Sequence, residues 1–81
     1  MFSIMIFDKL REIIAEQFSV GENSITMDTS FIDDLGAESL DAVDLVMAIE
    51  AAFDVPEFDD DVIARMITVG DLFQFISENC D

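Results

Sequence analysis

At 81 residues with 52% hydrophobic side chains, the chain is too apolar for a disordered acidic tail and long enough for one small core, but not for a second domain. Its 19 acidic side chains against 3 basic ones give a formal net charge of −16, which repels phosphate backbones and anionic membranes. Nucleic acid is excluded as a partner and membrane insertion is not expected; such a field suits a monomer that meets basic protein surfaces in a fast, salt-sensitive encounter.

The amino-terminal MFSIMIF has no basic residue ahead of it, is too short to cross a bilayer and runs directly into DKLREII, so it reads as a helix start and not as a signal. From Ser3 to Phe18, Ile6, Leu10, Ile13, Ile14 and Phe18 recur at helical spacing, with Ser3 as the expected cap and Asp8, Lys9, Arg11, Glu12 and Glu16 in the solvated arc. The helix is expected to close near Ser19-Val20-Gly21, with Gly21 supplying the left-handed conformation. Glu22 to Ala37 has no sustained period and is rich in Ser, Thr, Asn and Asp, which predicts a long loop fastened by Ile25, Phe31, Ile32 and Leu35.

Leu35-Gly36-Ala37-Glu38 predicts a turn feeding a helix start, where Ser39 is a good capping residue and is expected to be exposed. Beyond it the apolar residues fall on two stripes. Ala42, Leu45, Val46, Ile49, Ala52 and Phe53 occupy about a third of the circumference, the width of a core-facing stripe. Leu40, Val43, Met47 and Ala51 lie roughly opposite, edged by Glu38, Asp41, Asp44 and Glu50. A helix buried all round would explain two stripes in a large protein, but a domain this small cannot surround a central helix, so the second stripe is read as a docking surface. A methionine there suits several partners, because its side chain is flexible and polarizable.

Asp54-Val55-Pro56-Glu57 then breaks the period, since proline disfavours helix before it and cannot continue one. Asp59-Asp60-Asp61 puts carboxylates where a helix amino terminus welcomes them, ahead of Val62, Ile63 and Met66, and predicts a short helix of about two turns. Thr68-Val69-Gly70-Asp71 has the form of a capping box with Asp in the usual Glu position, and Val69, Leu72, Phe73 and Ile76 give the last helix a core stripe ending near Glu78-Asn79. Cys80 stands alone, so no internal disulfide is possible and a reducing, cytoplasmic setting is expected. The fold class is therefore all-α: a single domain over residues 1–81, a small four-helix bundle of three longer helices and one short third helix, with a long loop between helices one and two.

The stretch DLGAESLDAVDLVMAIEAAF resembles the segment D-L-G-A-D-S-L-D-x-V-E-L-V-M-A-L-E of acyl carrier proteins, and the likeness extends more weakly through Phe31 upstream and Ile67-Thr68-Val69 downstream. One difference is Glu38, which stands where that family has Asp and sets its carboxylate one methylene farther out. The resemblance implies that Ser39 is esterified with 4′-phosphopantetheine from coenzyme A, whose thiol holds an acyl group as a thioester while partner enzymes act on it. It further implies a phosphopantetheinyl transferase and acyl-chain synthesis and transfer enzymes with basic docking patches as partners. By the same likeness the acyl chain is sheltered between the central and third helices, with Leu45, Ile49, Phe53, Phe58, Ile63 and Met66 as lining residues; these would equally serve as core. Fatty acid or related synthesis is the implied pathway. A carrier for polyketide, aminoacyl or other specialised acyl groups stays open, as does an unmodified acidic helical interaction module.

Catalytic residues are absent from this reading. G-A-E-S-L puts Asp41 where the second glycine of a G-x-S-x-G elbow belongs, the chain has no histidine, and its lysine lies far off in the first helix. No dedicated metal site is expected either, because a calcium loop starting at Asp54 meets Pro56 and Asp59 at positions that need an oxygen ligand and a glycine.

Overall fold

In the computed structural model, residues 2–53, 55 and 57–79 are described, residues 2, 3 and 39 by their backbone alone. Expectations about Asp54, Pro56, Cys80 and the side chains of Ser3 and Ser39 lie outside the described residues. The chain is all-helical: α1 (Phe2–Phe18), α2 (Ser39–Phe53), the short α3 (Asp60–Arg65) and α4 (Val69–Asn79), with one turn of 3-10 helix at Glu22–Ser24 inside the long first loop. α1 packs against both α2 and α4. Leu10 and Ile14 of α1, Ile49 of α2, Val69 and Ile76 of α4 and Ile25 of the loop are fully enclosed between them.

The end of α1 differs from expectation in an instructive way. Ser19, at φ 56°, takes the left-handed conformation, while Gly21 sits at φ −74°. The helix closes two residues earlier than the glycine suggests because the Val20 N–H donates to the Ala15 carbonyl at 3.1 Å, the six-to-one bond that satisfies a helix carboxyl end. Val20 is carried inward and packs, partly buried, against the core, which accounts for where the turn falls. At the other end α1 begins at Phe2, so Ser3 lies inside the helix and is not its cap.

The loop between α1 and α2 is not loose. Ser30 and Thr68 form an isolated antiparallel bridge, the Phe31 N–H donates to the Ile67 carbonyl, and Val69 and Gly70 donate to the carbonyls of Thr29 and Met27 at 2.9 and 2.8 Å. Ile25 and Phe31 anchor it in the core and Leu35 packs at its margin. Ile32 does not: it is 73% exposed, because the residue next to an inward-facing Phe31 is turned to the surface. Gly70 has its own reason to be glycine, since a Cβ there would meet the Met27 carbonyl oxygen at 3.0 Å.

Both short helix starts are capped by aspartate. Asp59 accepts from the Val62 N–H at 2.8 Å at the start of α3. At α4, Asp71 accepts from the backbone N–H groups of Ile67 and Thr68, each at 3.0 Å, while its own N–H donates to Thr68 Oγ1, which is the reciprocal box expected from the sequence. The approach to α3 is tied down as well, by Phe58 packed on Phe75 of α4 with ring centroids 4.5 Å apart and planes tilted by 43°.

Candidate functional site

Gly36, at φ 65°, turns the chain into α2; the left-handed backbone there is one that a side chain disfavours. α2 begins at Ser39, so Glu38 holds the position before the helix and Ser39 is its first residue, one place inside the capping role expected of it. The Glu38 N–H donates to Asp41 Oδ2 at 3.0 Å, so the aspartate one turn on reaches back and closes the helix start. The backbone of Ser39 thus sits at the positive end of a 15-residue helix, on a stem fixed by a glycine turn and a carboxylate cap.

From that point α2 presents the two faces foreseen. Leu45 and Ile49 are buried, and Val46 and Phe53 pack against the core, but Ala52 is exposed because the stripe drifts away from α1 at the helix end. On the other side Leu40 is 71% exposed, Val43 52% and Met47 62%, with Asp44 and Ala51 also at the surface. Asp41 is half-buried against Glu38, and Glu50 is half-buried with Oε2 accepting from the Phe58 N–H at 3.1 Å.

Beside this helix start lies a cleft of about 540 Å³. Phe31, Phe58 and Leu72 are its buried lining residues; Ala42 and Val46 line it from α2, and Ile63 and Met66 from α3 and its end. Ile32, Glu38, Ala64 and Ile67, all exposed, rim it. Of the six residues expected to line an acyl pocket, Phe58, Ile63 and Met66 line this cleft; Leu45, Ile49 and Phe53 belong to the core cluster and not to the lining. Phe31, Val46 and Leu72 were not foreseen there. Val46 stands one turn after Ala42 on the same side of α2, and that shared direction is the signal that separates a cleft wall from the deeper Leu45 and Ile49. Phe31 and Leu72 carried no such signal, because a loop and a distant helix meet only in the folded chain.

Among the described residues, no group of three or more Asp, Glu or Cys side chains is arranged to hold a metal ion, and no helix is long and apolar enough to cross a membrane. The family model for the phosphopantetheine attachment site matches residues 8–76. An acyl carrier protein of Clostridium perfringens (strain SM101 / Type A) is 49% identical over 76 residues, covering 94% of this chain and 99% of its own length. An acyl carrier protein of Clostridium acetobutylicum is 43% identical over 77 residues, covering 95% and 99%, and one of a Sulfurovum species is 45% identical over 71 residues, covering 88% and 93%. This chain belongs to the acyl carrier protein family. As an acyl carrier protein it is a carrier and not an enzyme, and its cofactor is phosphopantetheine. The helix start fits that group: the amino-terminal end of α2 favours a phosphate ester through its dipole and first N–H groups, and Asp41, the nearest helical carboxylate, is directed at the Glu38 N–H.

Proposed function

We propose that Ser39 is the attachment residue and that the chain presents acyl intermediates of fatty acid or related acyl-chain synthesis to partner enzymes from this single cytoplasmic domain, acting as a monomer. The observation that carries the reading is the adjacency of three features: Ser39 opens α2, its neighbour Glu38 lies on the rim of the apolar cleft, and Leu40, the next residue, opens the exposed strip. When bound, phosphopantetheine supplies a thiol that holds an acyl group as a thioester. The chain's own residues do the rest. The start of α2 favours the phosphate, and the apolar walls from Ala42 and Val46 to Ile63 and Met66 shelter a hydrocarbon from water.

Leu40, Val43 and Met47 form the apolar centre of the docking face, with Glu38, Asp41 and Asp44 as its acidic border and Glu50 at its far end. A net charge of −16 selects partners with basic patches, among them a phosphopantetheinyl transferase and the acyl-chain enzymes. The test is the mass of the intact protein after incubation with coenzyme A and a broad-specificity transferase, followed by peptide mapping. A single phosphopantetheine adduct on Ser39, abolished by Ser39→Ala, is expected; an adduct on Ser3 or Ser30, or one that survives Ser39→Ala, overturns the assignment.

A further inference from the structure

Among the described residues, the connection from α2 to α3 is spanned by a hydrogen bond that helix propensity does not require. Glu50 Oε2, half-buried on α2, accepts from the backbone N–H of Phe58, eight residues on. Phe58 is 6% exposed, packs on Phe75 with ring centroids 4.5 Å apart and forms part of the buried lining of the cleft. Its backbone precedes α3, so no helical carbonyl takes that N–H, and the carboxylate satisfies it with a charge-assisted bond, stronger than a neutral one. Glu50 thereby fixes the backbone that carries the ring, and Phe75 fixes the ring itself. A ring held at both ends resists displacement by a longer ligand, whereas the rim at Ile32, Ala64 and Ile67 is open to solvent.

We propose that Glu50 is a positioning residue that holds Phe58 as the floor of the cleft, and that this floor limits the length of the saturated acyl chain the protein shelters. The inference rests on the cleft being the acyl shelter, and it gives Glu50 an internal role besides its place at the far end of the docking face. The tight seat of Phe58, between a carboxylate on α2 and an aromatic ring on α4, is what turns a hydrogen bond into a measure of length.

Two measurements test it. The first uses the chain without any cofactor: amide hydrogen exchange in the parent, Glu50→Ala and Glu50→Gln. Glu50→Ala is expected to speed exchange of the Phe58 amide by about tenfold or more while the amides of Leu10, Ile49 and Ile76 keep their rates, and Glu50→Gln, which keeps an acceptor oxygen, is expected to fall between the two. Unchanged Phe58 exchange in Glu50→Ala, acceleration shared equally with the core amides, or a glutamine variant indistinguishable from alanine would overturn the latch.

The second measures melting temperature across a series of saturated acyl chains loaded on Ser39, in the parent, Glu50→Ala and Phe58→Leu. The parent is expected to be stabilised most at one chain length, and both variants at a longer one. A parent optimum that the variants share sinks the floor alone; a parent with no dependence on chain length sinks the acyl-shelter reading and the floor with it.

Discussion

Met47 and Ile49 sit two residues apart on α2 and face opposite surroundings, 62% exposed in one case and fully enclosed in the other. Met47→Asp is therefore expected to leave helix content intact and stability within about 0.5 kcal/mol, as surface changes do. Ile49→Asp puts an unpaired carboxylate into the core, at a penalty comparable to the whole stability of a domain this small, and is expected to unfold it. Circular dichroism and thermal melting separate the two outcomes. If Met47 is a central anchor of the docking face, Met47→Asp also weakens partner binding by about 2 kcal/mol or more, read by titration against an acyl-chain enzyme. A Met47→Asp chain as unfolded as Ile49→Asp would return the second stripe to the core.

At the scale of elements, the sharpest dependence is that of α4 on Asp71, whose carboxylate accepts two backbone N–H groups at once. Asp71→Ala is expected to destabilise the chain by about 1–2 kcal/mol, the cost of a lost cap, measurable by urea unfolding with an unchanged slope. This cap was legible because T-x-x-D is a local pattern, and the helices were legible because α1, α2 and α4 each carry their own period and α3 opens on a run of carboxylates. Features decided between elements were harder to read. Gly21 is the residue a helix end prefers, yet the inward pull on Val20 moved the left-handed position to Ser19. Ile32 has the hydrophobicity of an anchor, but only one of two adjacent residues in that turn can face the core, and Phe31 fills the place. The cleft was half legible for the same reason: the α3 side carries its apolar residues in sequence, while Phe31 and Leu72 reach the site from elements far apart in the chain.

Over the whole molecule the governing quantity is the charge. With 19 carboxylates against 3 basic side chains, and among the described residues one ion pair, Arg11 with Asp8 at 3.1 Å, repulsion within the folded chain is barely neutralised. Raising ionic strength to ~0.1 M, where screening reaches about 10 Å, is expected to raise the melting temperature; a value flat in salt would contradict this. The bridge between Ser30 and Thr68 has a consequence in time as well as in space. Residues 27–31, from which the turn before Ser39 is built, take backbone partners from residues 67–70, which leave the ribosome later than they do. A nascent chain that has exposed α1 and α2 but not the start of α4 thus has the loop that leads to α2 without the backbone partners that brace it.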